Sequence, residues 1–169
     1  ERWKTSKSTR QIDWDQMYFA NQQANALGKE TLYYQEERHN DQLAFNFSSI
    51  FNHTIDQHNS YVVGLAVNTT KGMHYKKMKD LLDLYTDVDK FSVRDYGYNS
   101  YVIQNDLDNP NRRIGEGDKF GYDYNIFVNK QNVWARYQGD NDGHFNYFVS
   151  GKIGSAQISR DGKMRNGRA

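Results

Sequence analysis

Between residues 42 and 68 apolar side chains recur at every second position, which limits this stretch to a sheet with one oily face. In QLAFNFSSIFNHTI, Leu43, Phe45, Phe47 and Phe51 share one parity while Asn46, Ser48 and Asn52 share the other. In SYVVGLAVN, Tyr61, Val63, Leu65 and Val67 oppose Ser60, Gly64, Ala66 and Asn68. An amphipathic helix repeats its apolar positions every three or four residues, so this alternation excludes one and places one strand face in an apolar phase. The polar stretch Asp56-Gln57-His58-Asn59 joins the two arms as a hairpin turn.

The layout recurs further along. Residues 119–138 put Phe120, Tyr122, Tyr124, Ile126, Val128 and Trp134 on one parity, Gly139-Asp140-Asn141-Asp142-Gly143 turns the chain, and Phe145, Tyr147, Val149, Gly151 and Ile153 follow. The two hairpins are separated by the long segment 76–117, and loops of such length are uncommon unless functional. Short turns at one end and long loops at the other are the pattern of a transmembrane β-barrel. The expected fold is therefore all-β: an antiparallel, long-stranded segment of such a barrel with long extracellular loops. Its lipid-facing or interfacial-girdle positions are Leu43, Phe45, Phe47, Phe51, Tyr61, Val63, Leu65, Val67, Tyr122, Tyr124, Ile126, Val128, Phe145, Tyr147 and Val149, with Phe120 also placed in a girdle. The segments read as an outer loop with a short helix (1–29), a first hairpin (30–75), a long outer loop (76–117), a second hairpin (118–159) and the start of another loop (160–169).

Composition agrees with strands better than with a conventional core. Hydrophobic residues make up 37% of the 169, and 13 Tyr, 9 Phe and 3 Trp dominate them. Branched aliphatics are too sparse for a close-packed interior, whereas aromatic residues suit strands and interfaces. A net charge of +1 with intermixed signs predicts neither a nucleic-acid stripe nor a polybasic membrane anchor. The absence of cysteine excludes disulfides, thiolate metal sites and a Cys nucleophile. No run approaches the roughly 18 consecutive apolar residues that a helical span needs. The chain opens on Glu1-Arg2-Trp3-Lys4 with no apolar leader, and it is expected to be an interior piece of a longer protein.

Local signals refine this outline. Asp13 is placed to cap a helix carrying Trp14, Met17, Tyr18 and Asn21 on one side, with Gln16 at the capping-box position and Gly28 as the stop. Residues 30–55 read as one long strand. Met78, Leu81, Leu82 and Tyr85 recur at helical spacing and predict a short amphipathic helix over 76–85. The carboxylates Asp80, Asp83, Asp87, Asp89, Asp106 and Asp108 read as a solvated acidic loop, with loop-bound calcium the alternative; no cofactor is expected. Asp140-Asn141-Asp142-Gly143 reads as a plain hairpin turn, because a calcium loop would continue to a bidentate Glu where a strand begins instead. The five histidines show no ligand-like spacing, and the glycines of GEGDKFG precede a strand, the reverse of a phosphate-cradling strand-to-helix order. The residues present no catalytic motif, and no enzyme is expected.

The segments NDLDNPNRRIGEGDKFGYDYNI (105–126), RDGKMRNGRA (160–169) and QIDWDQMY (11–18) resemble the barrel portion of TonB-dependent outer-membrane receptors of Bacteroidota. Such receptors close a barrel of about 22 strands with an N-terminal plug. The resemblance covers nearly the whole chain as an interior slice. It implies a bacterial outer-membrane location and a share in nutrient import, with these residues supplying wall and extracellular loops. The implied partners are outer-membrane lipid, the remainder of the barrel and its plug, TonB through regions not in this chain, and in some cases a surface lipoprotein. Two other classes compete. One is a secreted or surface-exposed soluble β-domain that binds carbohydrate through the ring-rich loop of Tyr85, Phe91, Tyr96, Tyr98 and Tyr101. The other is a structural barrel subunit of an envelope assembly.

Overall fold

The computed structural model describes residues 2–83, 87–89 and 101–166. In chain order the elements are α1 (Arg2–Thr5), α2 (Trp14–Ala26), β1 (Gln35–Thr54), β2 (Asn59–Asp80), β3 (Asp87–Val88), β4 (Arg113–Ile114), β5 (Lys119–Asp140) and β6 (Asn146–Gly162). The protein is mostly β, and its four long strands form one antiparallel sheet. Their order is β1-β2-β5-β6, so β1 and β6 are the sheet's edges among the described residues. A second ladder pairs β3 with β4, Asp87 facing Ile114.

Three boundaries differ from the sequence expectations. Residues 76–80 do not start a helix but carry β2 on to Asp80. Lys and Met favour helices in isolation, yet here the Lys76 ammonium lies 2.8 Å from Glu36 and the Met78 N–H donates to the Asp118 carbonyl at 2.8 Å. Those partners override local propensity. β1 starts at Gln35 rather than at 30, because Asn21 Oδ1 accepts the N–H groups of Leu32 and Tyr33 at 3.0 Å and occupies them outside any ladder. β6 extends to Gly162, into residues read as loop. Tyr85, Phe91, Tyr96 and Tyr98 lie outside the described residues, and Tyr101 is exposed.

Internal contacts divide the chain into two units, one of residues 1–40, 74–124 and 162–169, the other of 41–73 and 125–161. The first unit has a core. Met78, Leu81, Ile114 and Phe120 pack together, and Leu82, Ile103 and Ala24 are also buried. Asp13 caps α2 as its position predicts, its carboxylate accepting from the Gln16 N–H at 3.0 Å, and Gly28 follows the helix at φ +65°. One side chain pins this helix: fully buried Asn21 donates to the carbonyls of Tyr33, Leu81 and Leu82 at 2.7, 3.2 and 3.2 Å. Leu82 and Asp83 are left-handed, at φ 48° and 71°, so the chain turns sharply just where Asn21 binds it.

Phe120 belongs to this core and not to an exposed girdle. It is 5% exposed, Tyr34 meets it edge-on at 5.8 Å, and the Lys76 ammonium sits 4.4 Å over its ring. Asp89 and Asp106, expected in a solvated loop, are buried too. The Asp89 carboxylate accepts from Arg112 and Asn105, each at 2.8 Å, and from the Gly121 N–H at 3.0 Å. Burial of a charge is tolerated where it is paired and fully hydrogen-bonded, and this one ties together the stretches on either side of Arg112.

Candidate functional site: the two faces of the second unit

The second unit consists of strand and turn alone, and every buried hydrophobic side chain among the described residues belongs to the first unit. Its apolar side chains are displayed instead. Leu43, Phe45, Phe47, Phe51, Val63, Leu65, Phe145, Tyr147 and Val149 are all exposed, Leu43 at 68% and Val149 at 70%. Tyr61 and Val67 are half-buried.

Cross-strand contacts assign the faces. Asn68 donates its amide to Asn46, joining the small and polar positions of β1 and β2. Phe51 meets Tyr61 with centroids 6.2 Å apart, joining the oily positions. On β5, Trp134 lies so close over Gly64 that a methyl there would fall inside the indole, so Trp134 shares the face of Gly64, Ala66 and Asn68. Phe127 lies on the other side, under the Lys71 ammonium at 5.8 Å. Tyr137 and Tyr147 meet at 6.2 Å between β5 and β6, while the Arg136 guanidinium lies 4.5 Å over the Phe148 ring.

These contacts correct part of the expected site. Ile126 and Val128 share the parity of Trp134 and so belong to the small and polar face, not the oily one. Tyr122 and Tyr124 fall in the first unit, where Tyr124 stacks on His74 at 5.0 Å and His74 bonds Asn40 at 2.8 Å. The oily positions of β5 are Phe127, Val133 and Tyr137, which the sequence reading passed over. A signal for them was present: Lys130 and Arg136 share the parity of Ile126, Val128 and Trp134. A face carrying cations is the wrong one to set against hydrocarbon, where each Lys or Arg costs roughly 2–4 kcal/mol at mid-depth.

The faces differ chiefly in charge. The oily face carries no charged side chain at positions 43–55, 59–69, 127–139 or 145–159 of its parity. Its cation Lys71 stands beyond them, over Phe127, as a long side chain does when it reaches out of an apolar layer. The opposite face carries Lys130, Arg136 and Lys152 among Asn, Ser, Gly and Ala, with Ile126, Val128, Trp134 and the exposed Ile50, Phe148 and Ile158 also on it.

The turn end is polar. His58 bonds Asp140 through Nδ1 at 2.8 Å and faces Asp142 through Nε2 at 3.4 Å, linking the two hairpin turns. The Asp140 hydrogen bond, and then its charge, raise the His58 pKa above the ordinary 6.5. Asp56 accepts the N–H groups of His58 and Asn59 at 2.8 Å, and the first of these bonds leads in lowering its pKa. Asn59 Oδ1 accepts from the Tyr137 hydroxyl at 2.6 Å. Asn141-Asp142-Gly143 forms a hairpin turn, with Asp142 and Gly143 left-handed and the Asn141 N–H bonded to the Phe145 carbonyl at 3.0 Å. Among the described residues no three His, Asp or Glu side chains converge as metal ligands.

Comparison with protein-family models, with curated proteins and with solved structures found no match.

Proposed function

We propose that this chain is part of the β-barrel of a TonB-dependent receptor that imports a nutrient across a bacterial outer membrane, and that it supplies barrel wall and extracellular loops. The observation that carries this reading is the second unit's oily face, exposed on all four strands and uncharged at positions 43–55, 59–69, 127–139 and 145–159 of its parity, with cations on the opposite face. A sheet in water would turn such a face inward or cover it. In a membrane, strands need about 9 to 11 residues to cross, outward apolar positions alternate with lumen-facing ones, and tight turns close one end. Two further features support the proposal. The edge strands, Gln35–Thr54 and Asn146–Gly162, are long and carry no edge-protecting proline, and a closed barrel is the arrangement that pairs them. The first unit, with its own core and buried ion pair, is built as a water-facing segment is.

Transport and not chemistry is the role assigned to these residues. Energy coupling through TonB, the plug and any surface lipoprotein belongs to other regions or other chains. The deciding experiment is the intact mass of the protein isolated from its native membrane, with peptide mapping beyond Glu1 and Ala169. A detergent-dependent outer-membrane protein several times 19.9 kDa, with plug sequence upstream and more strands downstream, supports the proposal. A folded, detergent-free monomer of 19.9 kDa overturns it in favour of a soluble β-domain.

A further inference from the structure

The oily face of the second unit is not uniform. Four contacts align its strands: Asn68 bonds Asn46, Lys71 lies over Phe127, Trp134 lies over Gly64, and Gln131 donates to the Ser155 hydroxyl at 3.1 Å. Counting in twos from Phe127, alternation puts Phe45, Thr69, Asn129 and Gln157 in one row of this face and Phe47, Val67, Gln131 and Ser155 in the next. At these two levels β1 carries rings, whereas β5 and β6 carry only amides and a hydroxyl. Leu43 and Phe127, beside Lys71, stand beyond the patch on one side, and Leu65, Val133 and Ile153 on the other. The polar patch is therefore an inlet within the apolar layer and not its rim.

Thr69, Asn129, Gln131, Ser155 and Gln157 are all exposed, and they line one cavity of about 250 Å³. The Gln131–Ser155 bond leaves the Asn129 and Gln157 amides without a side-chain partner among the described residues. Lipid tails satisfy neither donor nor acceptor, so an amide left bare in hydrocarbon is costly, and polar side chains in membranes join one segment to another instead. We propose that this patch is the seat of a second copy of the same protein, the two amide clusters meeting about a two-fold axis in the membrane. Each amide holds both a donor and an acceptor, so the patch complements itself when turned about such an axis. Its side chains carry no charge, so two copies meet there without repulsion, and a charged partner would find no counter-charge. The inference rests on the barrel reading, which places this face in lipid.

The test uses cysteine cross-linking, which the absence of cysteine from these residues permits. Ser155→Cys in the patch, and Val149→Cys and Leu43→Cys elsewhere on the oily face, are placed singly in the full-length protein, any cysteine outside these residues first replaced by serine. Native outer membranes are treated with a short, membrane-permeant bismaleimide. The expected result is that Ser155→Cys gives a product of two copies of this protein, identified by its mass and peptides, while Val149→Cys and Leu43→Cys give none. Combining Q131L and Q157L should weaken self-association in liposomes roughly tenfold, read by single-molecule photobleaching. No self-product at Ser155→Cys, a product with a different protein, equal products at all three positions, or unchanged association of the leucine variant overturns the proposal. The barrel reading fails separately, if Val149→Cys reacts with a water-soluble, membrane-impermeant maleimide as fast as a free thiol does.

Discussion

The same long strands serve two units that are held in order by different means. In the first unit a strand end is fastened by polar groups taken out of water: Asn21 beneath the Leu81–Leu82 turn, Asp89 against Arg112, and a small apolar cluster around Met78 and Phe120. In the second, the strands bury no hydrophobic side chain at all, and the Trp134 ring lies directly over a glycine. The difference teaches that strand pairing alone makes a sheet and that the surroundings decide what its faces carry. A unit surrounded by water must supply its own core, whereas under the proposed barrel reading the second unit meets lipid and can wear its apolar side chains outside.

Substitutions can break this contrast or sharpen it. The largest effect is expected in the first unit. Asp89→Ala strands Arg112, whose side chain is 30% exposed, and it orphans the Asn105 amide and the Gly121 N–H, a loss of about 3–4 kcal/mol. Limited proteolysis between residues 101 and 121 reads it, and unchanged cleavage would show that the buried charge is not what orders this segment. The next comparison lies within one strand. Phe47→Lys, on the oily face, should cost about 2–3 kcal/mol of stability in a bilayer while Ser48→Lys costs almost nothing. Equal effects, measured by urea unfolding in liposomes, would erase the distinction between faces.

Gly64→Ala comes third. The added methyl would overlap the Trp134 indole and should destabilise the second unit by about 1–3 kcal/mol, with a shift in Trp fluorescence. Trp134→Ala should make the same glycine substitution neutral. The smallest effect concerns pH. His58 has its pKa raised in the folded protein, so its contribution is full below the ordinary value of 6.5 and is lost as pH rises through the folded value. Hydrogen exchange of the Asp140 N–H, which donates to the His58 carbonyl at 3.0 Å, reports this fastening of the two turns. After correction for intrinsic exchange its protection should fall across that window, and His58→Gln should flatten the dependence.

What could be read in advance followed periodicity. The hairpins around residues 55–58 and 141–145, the Asp13 cap and the oily positions of β1, β2 and β6 are local patterns, set by alternation or by a turn. The errors arose where two patterns overlap. On β5 both parities carry apolar residues, so alternation could not choose between Ile126 and Phe127; the Lys71–Phe127 and Trp134–Gly64 contacts choose. Across 76–82 the helical spacing of Met78, Leu81 and Leu82 was real, but those residues face one core from a strand end and a left-handed turn.

By itself, then, the order of residues determined that the chain forms long antiparallel strands with one oily face, because side-chain alternation is a property of the extended backbone and needs no partner. Tertiary structure decided which face of β5 joins that surface, which carboxylates are buried and paired, and where each strand stops. These outcomes depend on groups far apart in sequence, such as Asn21 with Leu81 or Gly64 with Trp134, whose meeting no local pattern encodes.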